Sequence, residues 1–374
     1  MDEASQQLPR QGPADAQADA PARVNLIGEH TDYCQGLVLP LPLVLCTKTE
    51  LRRRPDDWVA ARTTLEGGDR LVYRLGDEQP GRGWLDYVQG VTAAVRQRGL
   101  PLQGFELDVT SDIPAGAGLA SSAALGVALL RVLRKTFALP LDDVELARLV
   151  HTSETTFVGA PVGLMDPLAA SLGQPGRPLF IDTRSLAMEQ LSLPEAVEVG
   201  VVHSGISHRN AGGTYAQRRR EADAAAQALG VSFLREVTEA DLPRIEALPP
   251  PLNGRARHVV TENARVLAFV AALRRGDSLP LGALLDASHH SLRDNYEVSH
   301  PDVDALVALA QSHEDVLGAR MTGGGCGGAV LFLAKPGCAR AAGSAVTEAY
   351  CRQTGRPGVL LVPPTDGFKA GQPG

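Results

Sequence analysis

The chain has 374 residues, of which 44% are hydrophobic and 21% charged, with a formal net charge of −7 at pH 7. That length and apolar content provide a sizeable core in one large or two ordinary domains, and the acidic balance excludes a general basic surface for nucleic acid. No apolar run approaches the ~20 residues of a membrane helix, and the acidic, alanine-rich start lacks a signal peptide's positive end and apolar core, so a cytoplasmic protein without a membrane partner is expected.

Residues 1–20 are polar and rich in Ala, Asp, Gln and Pro, which predicts a disordered tail. From Pro21 to about Leu45 the chain reads as strand, with Pro40 and Pro42 interrupting the apolar run Leu37–Leu45. Inside this stretch Arg23-Val-Asn-Leu-Ile-Gly-Glu-His-Thr-Asp-Tyr33 packs five ionisable side chains into eleven residues. Such a cluster either sits solvated on a surface loop or lines a site. Glu29, His30 and Asp32 can hydrogen-bond the hydroxyls of a small polar ligand, and Arg23 adds a permanent positive charge. His30 has no second histidine at i+4 to form a helical metal pair.

A short alternating strand, with Phe105, Leu107 and Val109 inward and Glu106, Asp108 and Thr110 outward, runs into Pro114, Gly116 and Gly118. Ser121, Ser122 and a continuous apolar helix follow. Strand, glycine loop and helix start form an anion-binding construction, because loop amides and aligned peptide dipoles face outward together. The two serines can cap the helix, as in many ordinary turns, or offer their hydroxyls to a phosphate or magnesium ion. The standard nucleotide motifs do not fit. None of the four lysines (Lys48, Lys135, Lys335, Lys369) completes a Gly-x-x-x-x-Gly-Lys-Ser/Thr loop, and Ser121 stands where a dinucleotide fingerprint needs its third glycine.

Glu154 follows the helical run Leu141–Val158, and heptad spacing puts it on the buried face above Ala147 and Val150. A carboxylate there requires a cation, an arginine partner or an exposed helix end. In Asp166-Pro-Leu-Ala-Ala-Ser-Leu-Gly173, Asp166 reads as a helix N-cap with Pro167 first in the helix and Gly173 past its end, although a carboxylate so placed can also face a substrate hydroxyl. Strands are expected at Pro178–Ile181, Val197–Val202 and Ala329–Leu333, and helices at Tyr215–Leu229, Arg257–Arg275 and Pro301–Ser312. A second glycine-rich loop spans Thr322–Gly328, and the Pro-rich segment Leu248–Leu252 reads as a connector. The five cysteines form no C-x-x-C pair and are odd in number, the pattern of free thiols in a reduced compartment.

Taken together, these segments resemble a known family. The Arg23–Tyr33 segment is very similar to the signature of galactokinases, and Pro114–Ala124 resembles the second motif of the wider family of galactokinase, homoserine kinase, mevalonate kinase and phosphomevalonate kinase, the GHMP kinases. Arg320-Met-Thr-Gly-Gly-Gly-Cys-Gly-Gly328 resembles that family's third motif. Gly163–Asp166, Ser291–Val298 and Arg257–Asn263 are similar to further galactokinase segments, and the likeness spans Pro21 to Leu361 in the family's order. It implies an α+β, two-domain GHMP kinase fold: after the tail, a ribosomal-protein-S5-like α/β domain over 21–180 with the phosphate loop and catalytic aspartate, and a ferredoxin-like α+β domain over 181–374 with the second glycine loop.

The resemblance also implies ATP and Mg²⁺, galactose as the phosphoryl acceptor, and a monomer. Glu29, His30, Thr31, Asp32, Gly163 and Tyr215 would bind the sugar, while Gly116, Ala117, Gly118, Leu119, Ala120, Ser121 and Ser122 would cradle ATP. Ser122 and Glu154 would coordinate magnesium, Asp166 would take the proton from the sugar's 1-hydroxyl, and Arg23 would lie beside it. Trp84 matches a position near the adenine, and Gly323–Gly328 would close the site. Four positions depart from the family: Ala22 for glycine, Cys34 for asparagine, Ala120 for the first of three serines and Pro167 for glutamine. Cys34 matches the N-acetylgalactosamine kinase branch, which leaves that sugar as the alternative acceptor, and a non-catalytic galactose sensor is the alternative from another class.

Overall fold

The computed structural model describes residues 12–64, 68–114, 116–206 and 211–363, without the side chains of 211 and 212. In chain order the elements are β1 (Ala16–Asn25), β2 (Leu37–Val38), β3 (Pro40–Arg53), β4 (Trp58–Thr63), β5 (Leu71–Arg74), α1 (Leu85–Gln97), β6 (Phe105–Ser111), α2 (Ser121–Phe137), α3 (Asp143–Thr152) and α4 (Met165–Leu172). Then come β7 (Leu179–Asp182), β8 (Met188–Gln190), β9 (Glu198–His203), α5 (Ala211–Ala228), α6 (Leu242–Glu246), α7 (Leu252–Arg275), α8 (Leu281–Ser291), α9 (Pro301–Gln311), β10 (Val316–Thr322), β11 (Ala329–Ala334), α10 (Ala339–Thr354) and β12 (Val359–Val362).

The first half is a five-stranded sheet of order β1-β3-β6-β4-β5, antiparallel except for β4 beside β6. Leu51, Leu107 and Val109 on its inner face pack against Val88 and Val95 of α1 and the apolar stripe of α2. The expected tail therefore ends early: Ala16 to Ala20 pair with Leu51 to Thr47 of β3, and Ala18 and Ala20 are buried. Alternate small apolar residues among the polar ones supply that inner face, a period-two signal hidden by the overall composition. Glu106, expected outward, is also buried, beneath Arg54 and Arg70.

β1 crosses the two prolines of β3 through a register shift, in which the step from Pro21 to Arg23 stands opposite the longer step from Cys46 to Pro42. Proline offers no ladder donor, and a bulge of this kind turns the strand and re-aims the side chains beside it. Here the re-aimed residue is Arg23. α3 begins at a capping box, with Asp142 accepting from the Glu145 amide and Glu145 reaching back to the Asp142 amide.

The second half is an antiparallel sheet of order β10-β11-β9-β12, with α9 and α10 crossing between its strands in the ferredoxin-like β-α-β-β-α-β manner. Three helices of this half, α6, α8 and α10, lie outside the expected set. A third sheet, β2-β7-β8, ties residue 37 to residues 179–190, so a boundary at 180 falls inside β7. Between the halves lies a shared core in which Val24, Leu26 and Leu41 meet Val201, Phe269 and Leu331.

Candidate active site

At the seam of the two halves is a cavity of about 410 Å³. One end is the glycine loop after β6. Gly116 and Gly118 take φ of +72° and +75°, and Ala120 follows at φ +60°, a left-handed position that alanine adopts only at a cost of about 1–2 kcal/mol. Ala120 is the N-cap of α2 and its methyl cannot cap, while Ser121 and Ser122 are the helix's first two residues. Among the described residues the first-turn amides thus have neither an intrahelical acceptor nor a capping side chain, and they lie where Ser121 and Ser122 line the cavity. Of the seven residues expected in this cradle, all but Ala117 line the cavity; Ala117 is turned into the core.

Glu154 sits behind Ser122. α3 widens at its end into a single π turn, Ser153–Val158, closed by Gly159 at φ +76°. The wide turn presses against Gly90 of α1, where an added Cβ would lie 2.3 Å from the Ser153 hydroxyl. Glu154 is buried, with the Ser122 hydroxyl as its side-chain hydrogen-bond partner, and burial pushes its carboxyl up to about 7. Among the described residues Glu154 has no arginine bridge, and it does not stand at an exposed helix end. Among the described residues no group of three or more His, Cys, Asp or Glu could hold a metal ion. One carboxylate and one hydroxyl beside a phosphate cradle still fit Mg²⁺, which keeps few protein ligands and completes its octahedron with phosphate and water oxygens.

Asp166 does not cap its helix. The N-cap of α4 is Leu164, and Asp166 is the second helical residue. Its carboxylate is held by Arg23, with Nε to Oδ1 at 2.6 Å and Nη2 to Oδ2 at 2.5 Å. Nη1 of Arg23 donates to the Gly118 carbonyl at 2.7 Å, and the Arg23 amide donates to Leu119 O at 3.1 Å. One guanidinium therefore ties the phosphate loop to α4.

Glu29, His30, Asp32, Gly163 and Tyr215 line the other end. Asp32 occupies the space a side chain at Gly163 would take: a Cβ there would meet Oδ2 at 1.6 Å. Burial, and then the charge of Asp166, push the Asp32 carboxyl up to about 6. His30, at φ +61°, has both ring nitrogens engaged, Nδ1 with the Tyr33 hydroxyl at 2.9 Å and Nε2 with Gly324 O at 3.2 Å. The carbonyl can only accept, so Nε2 carries the proton, and burial holds the ring down to about 3 and hence neutral. It presents a ring face beside Tyr215, with centroids 5.1 Å apart. Thr31 does not line the cavity: its hydroxyl donates to Gly28 O and Leu37 O and closes the turn.

The second glycine loop forms the floor. Gly323, at φ +90°, approaches Gly118 so closely that an added Cβ would lie 3.2 Å from the Gly118 carbonyl. Tyr87 and the loop Ala160-Pro161-Val162 also line the cavity, which the sequence reading missed. Their only signal was position: Tyr87 stands one turn beyond Trp84, and the loop runs between Gly159 and Gly163. Trp84 itself packs half-buried against the N-terminal core and does not line this cavity. Cys34 is buried in the C-terminal core, away from the cavity lining.

A helix-start phosphate cradle, a second glycine loop beneath it and an Arg–Asp pair between them define a GHMP kinase. Residues 86–174 match the GHMP kinases N terminal domain and residues 269–352 the GHMP kinases C terminal domain. Residues 9–48 match the galactokinase galactose-binding signature. The chain is 41% identical over 349 residues to a galactokinase of Roseiflexus sp., covering 92% of this chain and 89% of that protein. To a galactokinase of Streptomyces coelicolor it is 40% identical over 339 residues, 88% of this chain and 87% of the other. The crystal structure of Lactococcus lactis galactokinase complexed with galactose superposes with a TM-score of 0.88 at 29% identity, covering 93% of each chain. A Methanococcus jannaschii mevalonate kinase, TM-score 0.67 at 16% identity over 94% of this chain and 98% of that one, shares the fold. The chain belongs to the galactokinase family, and it is a sugar kinase.

Proposed function

We propose that the chain transfers the γ-phosphoryl group of ATP to the 1-hydroxyl of α-D-galactose, giving galactose 1-phosphate and ADP, with Mg²⁺, as a monomer in the cytoplasm. The observation that carries this reading is the Arg23–Asp166 pair, set between a helix start open to phosphate and a cavity end lined by Glu29 and Asp32. Five free thiols suit a reducing compartment. Among the described residues no helix is long and apolar enough to cross a membrane.

Phosphoryl transfer is mostly positioning and charge neutralisation. Glu29 and Asp32 accept sugar hydroxyls, with Tyr215 and the His30 ring as walls. Arg23 holds both Asp166 oxygens, yet each keeps a lone pair for an incoming proton. The proton of the 1-hydroxyl passes to Asp166 as that oxygen bonds to the γ-phosphorus and the bond to the ADP oxygen breaks. The loop amides and first-turn amides of α2 hold the phosphates. Ser122 and Glu154 would hold Mg²⁺, which neutralises charge on the β- and γ-oxygens when bound.

The test is Mg²⁺-dependent ADP release with no sugar, galactose, N-acetylgalactosamine, glucose and mevalonate in turn, for the native chain and Asp166→Asn. Release with galactose alone, lowered about 10²–10⁴-fold in the variant while galactose still binds, is the expected result. Preference for N-acetylgalactosamine would reassign the acceptor. Sugar binding without release would make the chain a sensor, and near-native turnover in the variant would remove Asp166 from the reaction.

A further inference from the structure

Arg320 is among the largest fully buried side chains, and it is on the β10 strand of the second half. Its Nη1 donates to the carbonyls of Asn25 at 3.2 Å and Leu26 at 2.8 Å, where β1 of the first half ends. Its Nη2 lies 3.1 Å from Glu29 Oε1 as an ion pair. The same oxygen accepts from the Thr322 hydroxyl at 3.0 Å and from the Gly323 amide at 2.8 Å. The three contacts made to Glu29 are all on Oε1, and all come from the end of β10 and the second glycine loop. Oε2 is the oxygen left to meet a ligand in the cavity that Glu29 lines.

The guanidinium is held there at the expense of its own satisfaction. Arg320 Nε and Nη2 have no hydrogen-bond partner among the described residues, so Nη2 meets Glu29 Oε1 as an ion pair only; the neighbouring Asn25 Nδ2 has none either, and all three atoms are buried. A buried donor left unpaired forfeits its hydration without compensation. A cation kept under that cost, with one arm against a carboxylate that faces the cavity, is placed for orientation rather than for stability.

We propose that Arg320, assisted by Thr322, is a positioning residue for the sugar: by occupying Glu29 Oε1 it aims Oε2 at one sugar hydroxyl and thereby sets the discrimination for that hydroxyl. The proposal rests on the reading that Glu29 binds galactose. A site built to pair one hydroxyl rejects the analogue lacking it, and that rejection vanishes when the pairing group is misaligned.

The experiment measures kcat and KM for galactose and for its 2-, 3-, 4- and 6-deoxy analogues, in the native chain, Glu29→Gln, Arg320→Gln, Arg320→Lys and Thr322→Val. Glu29→Gln identifies the hydroxyl that Glu29 meets, as the analogue whose penalty it abolishes. Arg320→Gln is expected to raise the galactose KM about 10–100-fold with the ATP KM within about twofold, and to abolish the penalty for that same analogue. Arg320→Lys should restore part of the penalty. Thr322→Val, nearly isosteric, should weaken it by several-fold and decides the matter if Arg320→Gln does not fold. A penalty that survives in the folded Arg320 or Thr322 variants, or a parallel rise of both KM values, overturns the proposal and leaves Arg320 as a tie between the halves. Absence of galactose turnover in the native chain, or a Glu29→Gln variant that alters no analogue's penalty, would instead overturn the underlying site reading and the proposal with it.

Discussion

Asp32 and Glu154 are carboxylates in water-poor surroundings, and the two should show it in different experiments. Asp32, pushed up to about 6 by burial and the charge of Asp166, loses its acceptor charge as the pH falls through that value. If the ionised form binds the sugar, kcat/KM for galactose should drop below pH 6 by up to about tenfold per unit. A profile flat down to pH 5 would show that the Asp32 charge is not used. Glu154 titrates near 7 against an ordinary 4.5, so the folded chain holds that proton more tightly than the unfolded one. Stability from this group is intact below about pH 4.5 and falls as the pH rises through 7, because ionisation is then forced into a buried site. Glu154→Gln should therefore stabilise the ligand-free protein by about 1–3 kcal/mol at pH 8 and by little at pH 5, while turnover is lost. Thermal unfolding at the two pH values checks this, and an unchanged Tm at pH 8 would contradict it.

At the scale of elements, the site depends on two glycine loops that touch. Gly118 follows β6 and Gly323 follows β10, and their contact sets the gap between the phosphate end and the sugar end. Gly323→Ala puts a Cβ 3.2 Å from the Gly118 carbonyl and demands a left-handed φ of +90°. The loops would have to separate, so the KM values for ATP and galactose should rise together, by about tenfold or more if the strain reaches 1–2 kcal/mol. This joint rise contrasts with the sugar-only effect expected of Arg320→Gln. Steady-state kinetics with each substrate varied in turn distinguishes them.

For the molecule as a whole, the halves share a core: Leu26 and Leu41 pack with Val201, Phe269 and Leu331, and the β2-β7-β8 sheet spans the same seam. Units that share buried apolar surface lose it together, so calorimetry should record one unfolding transition rather than two. A fragment of residues 191–363 expressed alone should fail to fold. ATP and galactose, bound across the seam, should raise the Tm, with about 2.7 kcal/mol of added stability per ligand at a hundredfold excess over its Kd. Two resolved transitions would mean that the seam is weaker than its packing suggests.

By itself the sequence determined most of the elements and the chemical cast. Alternation in Phe105–Ser111, the turn glycines around Gly118 and the helical run Leu141–Val158 are local, since each depends on residues within a few positions. The ordered motifs likewise made the family and most of the cavity lining legible. Only the tertiary structure decided what each polar group is spent on. Asp166 has the local pattern of a helix cap, yet it pairs with Arg23, 143 residues away. Thr31 and His30 sit in a ligand-binding motif, yet their polar atoms close the turn and meet Tyr33 and Gly324. Ala16 to Ala20 read as tail and become strand because β3 supplies a partner. The reason is common to all three: a buried donor, acceptor or strand edge must find its partner wherever the fold brings one, and that partner is not written in the neighbouring residues.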